Sequence, residues 1–323
     1  MQWLIVKLSN ILSKGSVILM YIKIVSVAIA THNGERYLAE QLDSILSQTY
    51  SNLEIVIVDD DSVDNTLNII KNYQEKFSNI KLIKNIINLG VVKSFELAIN
   101  NCNGEFIVLA DQDDVWFKNK VEVLYNNIGD CLLIHSDAIL VNEKLQILSN
   151  SHMKFSKNIH CSGISNYLLS NNVTGCCTML KKSFWDSIRP IPDGFYTHDH
   201  YLAIMASTKQ NGIKYYPYPL VYYRQHSNNI IGAKIIKYDL FIKQLQKVKN
   251  SIILLKDNPI LYNYKKDINS AVAYYNCIIN SKLPNIMVFY WIYKNIPFRK
   301  FLGFIACTIP NKSITKLIYE KFR

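Results

Sequence analysis

Three things are missing from this 323-residue chain, and each removes a class of protein. No apolar run approaches the ~20 residues that a membrane-spanning helix requires. The best candidate, Ile286 to Tyr293, is closed by Lys294 and then Pro297. At the N-terminus Lys7, Lys14 and Lys23 interrupt every apolar stretch, so a cleaved signal peptide is not expected. Met20 stands just before the first clear strand, and residues 1–19 read as an N-terminal extension or a mis-assigned start. Neither GxGxxG nor a GxxxxGK followed by Ser or Thr comes after that strand, which argues against a dinucleotide-binding dehydrogenase and a P-loop enzyme. The seven cysteines include no CxxC pair, and the adjacent Cys176 and Cys177 suit burial better than a metal clip. They read as reduced thiols, mostly buried, in a cytoplasmic protein.

What is present is a large core and an uneven charge. Hydrophobic residues make up 49% and charged residues 19%, enough apolar surface for one large domain or a domain with an appendage. The formal net charge of +11 suggests a nucleic-acid binder until its distribution is examined. From Ala233 to Arg323 there are 16 Lys and Arg against 4 Asp and Glu, which leaves 20 against 21 in residues 1–232. The basic excess therefore sits entirely in the C-terminal third, which is also rich in Tyr, Ile, Phe and Leu. That combination points to an anionic membrane surface and away from nucleic acid.

Strands and helices alternate from Lys23 onward. Ile24–Ala30 is a β-branched run with the length of a buried strand. The pattern then predicts a helix over Arg36–Gln48, a strand over Leu53–Val58, a helix over Asp64–Phe77, a short strand over Ile80–Ile83 and a helix over Val91–Asn101. Glu105–Ala110 is a fourth strand. Such a rhythm implies a mainly parallel sheet with helices on both faces, whose ligands sit beyond the carboxyl ends of the strands. Three of those ends carry polar clusters: Thr31-His32-Asn33-Gly34, Asp59-Asp60-Asp61 and Asp111-Gln112-Asp113-Asp114. All three are expected to line one crevice. Farther on, Leu132–Ser136, Val173–Leu180 and Pro219–His226 read as strands and Tyr196–Ser207 as a helix. From Ala233 the pattern turns helical, with Tyr238, Phe241, Ile242, Leu245 and Val248 on one face.

The acids carry the chemistry. Asp111 and Asp113 flank a single residue at a strand end, which brings two carboxylates within reach of one hard cation, Mg2+ or Mn2+. An exposed acidic turn capping the next helix is the plainer alternative. Asp60 can accept from the imide N–H of a base, or serve as the N-terminal charge of the helix after Asp64. Asp199 opens a predicted helix between two histidines, where it is either a general base or an N-cap for the residues from Tyr201. Cys176, Cys177 and Trp116 are assigned to packing.

The stretch VSVAIATHNGERYLAEQLDSILSQTYSNLEIVIVDDDSVDNT, then NLGVVKSFELA and EFIVLADQDDVW, resembles family 2 glycosyltransferases of the GT-A fold. THDHYLA and YRQHSNNIIG resemble the bacterial surface-polysaccharide branch of that family, the rhamnosyltransferases among them. The resemblance runs from Lys23 to Gly232. It implies that Ala30, His32, Asn33 and Glu35 contact the nucleotide, that Asp60 reads the base, and that Asp111 and Asp113, with Asp114 beside them, hold ribose, diphosphate and metal. Asp199 matches the catalytic base, and His226 stands where the family closes over the diphosphate. The family usually has Tyr where His32 stands.

These observations together predict a mixed, mainly parallel α/β domain of GT-A type over residues 20–232 and a basic, helical, membrane-associating region over 233–323. The expected activity is inverting transfer of a sugar, rhamnose by resemblance, from a dTDP- or UDP-linked donor to a lipid-linked glycan of capsule or O-antigen type. The expected place is the inner face of the cell membrane, held peripherally. A nucleotidyltransferase and a non-catalytic RNA-binding protein are the alternatives. The first would release pyrophosphate, and the second leaves the acids at three strand ends without a purpose.

Overall fold

The computed structural model describes residues 23–156, 163–226, 238–280, 282–295 and 308. Residues 1–19 lie outside that set, and so does nearly all of the tail beyond Asn295. The first half alternates as β1 (Val25–Thr31), α1 (Leu38–Leu46), β2 (Leu53–Asp59), α2 (Thr66–Gln74), β3 (Ile80–Lys84), α3 (Val91–Asn100) and β4 (Phe106–Ala110). It continues with β5 (Val115–Trp116), α4 (Lys120–Ile128), β6 (Leu133–Val141), β7 (Ile147–Ser149), α5 (His152–Phe155) and α6 (Ile164–Leu169). After a 3-10 turn at Gly175–Cys177 come β8 (Thr178–Lys181), α7 (Lys182–Ile188), α8 (His198–Ala206) and β9 (Ile213–Arg224). The C-terminal region adds α9 (Tyr238–Leu254), α10 (Lys265–Asn280) and α11 (Ile286–Asn295).

The nine strands form one sheet in the order β3-β2-β1-β4-β8-β6-β9-β5, with β7 on β6. β3, β2, β1 and β4 are mutually parallel, as the βαβ rhythm requires, and β8 runs against both β4 and β6. The result is the mixed, mainly parallel sheet flanked by helices that the sequence implies. Alternate residues of each strand point to opposite faces, and each face is apolar. Val25, Val27 and Ile29 of β1 meet Leu38, Leu42 and Ile45 of α1 on one side, with Val121 and Leu124 of α4 nearby. Ala28 of β1 and Val56 and Val58 of β2 face Phe95, Ala98 and Ile99 of α3 on the other.

That second core continues into the basic region. Ile252 of α9 and Ile268, Ala271 and Tyr275 of α10 join Tyr167 and Leu168 of α6 and Tyr201 of α8 in one apolar cluster. Tyr275 Oη donates to the Leu168 carbonyl at 3.0 Å. Leu245 and Val248, expected on the apolar face of α9, pack against the same cluster.

Two differences from the sequence pattern have local causes. The segment 173–180 is a strand only from Thr178, because the tight turn at Gly175–Cys177 takes up its first part. β9 starts at Ile213, earlier than predicted, and runs through Pro217 and Pro219. Its pairing with β6 jumps from Ser136↔Tyr216 to Asp137↔Pro219, so the prolines fall at an irregularity where no ladder N–H is needed.

Leu42 has no exposed surface, whereas Leu240 on α9 is 49% exposed. Leu42→Ala is expected to cost about 2–5 kcal/mol in urea unfolding, and Leu240→Ala less than about 0.5 kcal/mol. Equal effects would contradict the placement of α1 in the core.

Candidate active site

The register of β1 with its neighbours, Thr31↔Asp59 and Ile29↔Ala110, brings the ends of β1, β2 and β4 side by side. The three polar clusters leave the sheet there. The loop after β1 is exposed at His32, Asn33 and Glu35, while Ala30 is half-buried. Asn33 sits in the left-handed region at φ 49°. Its N–H donates to Ser62 Oγ at 2.9 Å, and its side-chain oxygen accepts from Val63 N at 2.9 Å. Glu35 Oε2 accepts from Asn65 N at 2.9 Å, and Glu35 N donates to Asp64 Oδ2 at 3.1 Å. His32 Nδ1–H donates to the Asp60 carbonyl at 2.7 Å, which leaves Nε2 to accept from the Asn33 amide at 3.0 Å. The loops after β1 and β2 are thus stitched together by the residues assigned to nucleotide contact.

Asp60 is buried. Its Oδ1 accepts from Leu89 N and the Asn85 amide, both at 2.8 Å, and Oδ2 accepts from Gly90 N at 2.8 Å. Gly90 immediately precedes α3, so the carboxylate supports the N-terminus of α3 and not that of α2, as the sequence suggested. One oxygen, Oδ2, keeps room for a second donor.

After β4, Asp111, Asp113 and Asp114 turn in different directions. One carboxylate oxygen of Asp111, one of Asp114 and the Cys176 sulfur lie within 4.8 Å of one another. Asp113 Oδ2 instead accepts from His226 Nε2–H at 2.7 Å. Asp114 is fully buried; its Oδ1 accepts from Arg224 N at 3.0 Å, and its Oδ2 has no hydrogen-bond partner among the described residues. Burial, followed by the charges of Asp113 and Asp199, pushes the Asp111 carboxyl up to about 7. Burial beside Asp113 and Asp111 raises Asp114 well above the ordinary carboxylate range.

Asp199 borders the same turn: a Cβ at Gly175, next to Cys176, would lie 3.7 Å from Asp199 Cβ. Asp199 lies in the first turn of α8, and its Oδ1 accepts from His200 N at 2.7 Å. Thr197, and not Asp199, occupies the N-cap position. Among the described residues of α8, Asp199 alone is not buried. Its neighbours serve the core. His200 Nε2–H donates to the Tyr167 carbonyl at 2.6 Å, and His198 stacks on Phe95 with centroids 4.0 Å apart. Burial lowers the pKa of both histidines, which keeps them neutral.

Three residues that sequence reasoning did not single out hold this arrangement. Gln112 Oε1 accepts from Thr31 Oγ1 at 2.6 Å and His32 N at 2.9 Å, tying the acidic turn to the first loop. Arg224, 2% exposed, donates from Nε to the Asp113 carbonyl at 2.7 Å, from Nη1 to the Glu143 carbonyl at 2.6 Å, and from Nη2 to Glu40. Its guanidinium lies 4.5 Å from the Tyr37 ring, and that ring is 5.2 Å from His226. Lys120, fully buried, donates to the Cys176 carbonyl at 2.5 Å and lies 3.4 Å from the Trp116 ring; burial lowers its pKa to about 8. Gln112 and Arg224 do fall inside the quoted motifs, which was the available signal. Nothing in the sequence distinguishes Lys120 from a surface lysine.

Known proteins share this frame. The dTDP-rhamnosyl transferase RfbG of Shigella flexneri is 29% identical over 233 residues, covering 68% of this chain and 79% of that one. The Escherichia coli UDP-Glc:alpha-D-GlcNAc-diphosphoundecaprenol beta-1,3-glucosyltransferase WfgD is 27% identical over 191 residues, 59% of this chain and 72% of its own. Among solved structures, S. aureus TarS 1-349 in complex with UDP-GlcNAc superposes with a TM-score of 0.58 at 17% identity, covering 93% of both chains. The mannosyltransferase PcManGT from Pyrobaculum calidifontis, in complex with GDP-Man and Mn2+, gives a TM-score of 0.53 at 17% identity, covering 93% of this chain and 85% of that one. These likenesses establish the GT-A-like fold. The Glycosyl transferase family 2 model matches residues 26–187, half of the chain, across all three strand-end clusters, and the chain is therefore a glycosyltransferase that belongs to that family.

Proposed function

We propose that the protein transfers one sugar, rhamnose in this reading, with inversion from a dTDP- or UDP-linked donor to a growing lipid-linked surface polysaccharide of capsule or O-antigen type. The observation that carries the reading is that the turn Gly175–Cys177 touches both sides: Cys176 lies with the Asp111 and Asp114 carboxylates, and Gly175 lies against Asp199. The donor assignment is supported by the likeness to a dTDP-rhamnosyl transferase, and the acceptor by the likeness to an enzyme named for a diphosphoundecaprenol substrate.

The acidic turn fits a divalent cation. Asp114 Oδ2 has no nitrogen or oxygen partner among the described residues, and a divalent cation would relieve the repulsion that Asp111 and Asp113 exert on this carboxyl. Asp111 and Asp113, joined by Asp114, would hold Mg2+ or Mn2+. When bound, such an ion neutralises charge on the departing diphosphate. The residues of the chain do the rest. Asp60, through Oδ2, accepts from the base, and the loop at Ala30, His32, Asn33 and Glu35 flanks it. His226, fixed by Asp113, stands at the edge of the acidic turn. Asp199 takes the proton from the acceptor hydroxyl as that oxygen attacks the anomeric carbon opposite the leaving group.

Binding of UDP or dTDP, measured by calorimetry, should be lost in EDTA and in Asp113→Ala; equal affinity in all three conditions would refute the cation. A second readout tests the same point. With its pKa raised from 3.8 to about 7, Asp111 holds a proton in the folded state that the unfolded state releases between those values. Stability therefore falls as pH rises through that window. In EDTA the wild type should lose stability relative to Asp111→Asn between those limits, and saturating Mn2+ should remove the difference.

Asp199→Asn keeps the shape and the bond to His200 N but removes the proton acceptor. Sugar transfer should fall about 10²–10⁴-fold with melting and donor binding unchanged. Transfer within a few-fold of wild type would leave Asp199 a structural residue.

The membrane reading gains a specific surface. Among the described residues no helix is long and apolar enough to cross a bilayer. α11 buries Ile292 yet exposes Ile286 (84%), Met287 (79%) and Tyr290 (65%) along one face, next to Lys294. With the basic excess of this region, that face suits insertion at an anionic surface. Because α9 and α10 belong to the core, deleting the region would unfold the domain. Replacing Ile286, Met287 and Tyr290 by Ser is the cleaner test. Sedimentation with anionic vesicles should be salt-sensitive in the wild type and weaker by about tenfold or more in the triple variant. Equal sedimentation would refute the assignment.

A further inference from the structure

The basic region reaches the segment that leads into α8 through α9. Tyr196, three residues before Asp199, donates from its backbone N–H to Ser251 Oγ of α9 at 2.8 Å, and Ser251 is fully buried. One turn earlier on the same helix, Lys247 carries its ammonium 5.1 Å from the centre of the Tyr196 ring. The Ser251 hydroxyl donates in turn to the Lys247 carbonyl at 3.1 Å, so ring, lysine and serine form one unit. Three residues of chain span at most about 10 Å, which keeps this unit close to Asp199.

Lys243 lies one further turn along the same face of α9. Both lysines are exposed, and neither has a carboxylate partner among the described residues. Their neighbours are already satisfied: Lys93 takes Asp193, the acid that precedes Tyr196, and Lys249 takes the Asn276 amide oxygen. Two uncompensated positive charges therefore stand beside the segment that carries the proposed base. We propose that Lys243 and Lys247, braced by the Tyr196 ring, form a subsite for the diphosphate of the acceptor. Ammonium groups are suited to phosphate oxygens as compact point charges with several donors. The inference rests on the proposed function for the lipid-linked acceptor. It adds where the anionic link of that acceptor is held, and it implies that the glycan between the link and the attacked hydroxyl is short. A phospholipid headgroup presents the same phosphate chemistry, but the position beside Tyr196 and Asp199, and not on the apolar face of α11, favours the acceptor.

The probe is geranyl diphosphate, titrated by calorimetry into the full-length protein with the nucleotide site filled by excess UDP or dTDP and no membrane present. Geraniol, the same tail without charge, is the control ligand. The wild type should bind the diphosphate at least about tenfold more tightly than geraniol, and added salt should erode the difference. Lys247→Gln, which keeps a long stem against the Tyr196 ring, should bind the diphosphate about tenfold more weakly. Adding Lys243→Gln should bring the diphosphate level with geraniol. Lys266→Gln is the charge control. It removes an exposed lysine of α10 close to Tyr264, whose hydroxyl bonds the Thr208 carbonyl beyond the opposite end of α8, and it should bind as the wild type does. Unchanged diphosphate affinity in the double variant, or equal affinity of the wild type for both ligands, overturns the proposal. So does a double variant that keeps the diphosphate but no longer sediments with anionic vesicles, because the lysines then meet headgroups. Transfer that survives Asp199→Asn would sink the base assignment of the proposed function and leave this result standing, since binding is read without turnover.

Discussion

Negative charge crowded at one buried point constrains much of this molecule. Within four residues at the end of β4 the chain places Asp111, Asp113 and Asp114, and burial together with the charge of Asp113 draws the other two far from the ordinary carboxylate range. Such a cluster is tolerated only if positive or donating groups surround it. Each compensating group comes from a different part of the chain. Lys120 approaches from α4, Arg224 from the end of β9, and His226 from just beyond it. Their approach determines how β9 docks on the sheet and where the turn before β8 can run.

The second constraint is the stitching of loops. Gln112 joins the acidic turn to Thr31 and His32, while Asp60 carries the segment from Asn85 to Gly90. A nucleotide entering this crevice meets loops that already hold one another, so little ordering remains to oppose binding. The family's usual Tyr at position 32 would supply a larger ring. Here His32 uses its Nδ1–H to lock onto the Asp60 carbonyl. Stacking area is exchanged for a bond that fixes the loop, and donor choice is one property such an exchange can alter.

The parallel half of the fold was legible because its signals are local. β1, β2 and β4 are continuous β-branched runs that end in polar clusters, and α1 and α3 repeat their apolar residues at helical spacing. The membership of the three clusters in one crevice followed from the βαβ rhythm alone. What the sequence did not disclose depends on distant partners. Gln112, Arg224 and Lys120 act through residues 56 to 184 positions away, and no periodicity marks them. α7 spans only seven residues, too few for a period to emerge. β9 was under-read because Pro217 and Pro219 normally end a strand, and only the shifted pairing with β6 accommodates them. Asp113 shows the same limit at the site. Its Oδ2 accepts from His226, a partner 113 positions away that spacing alone does not reveal.

The placement of Asp199 follows from the way α8 is buried. His198, His200 and every residue from Tyr201 to Ala206 are inside the protein, so the helix has no solvent face on which to be mobile. The Tyr201 hydroxyl donates to the Ile188 carbonyl at 2.5 Å, His200 donates to Tyr167, and His198 is held between Phe95 and the Gly175 turn. Their effect is to leave Asp199 as the single accessible group on a rigid platform, beside the acidic turn yet outside the donor group formed with Cys176. A proton acceptor must meet its hydroxyl within a few tenths of an ångström, and rigid support is what sustains such placement. The same packing explains why two neutral histidines flank the acid: their rings belong to the core, and Asp199 alone in α8 is not buried.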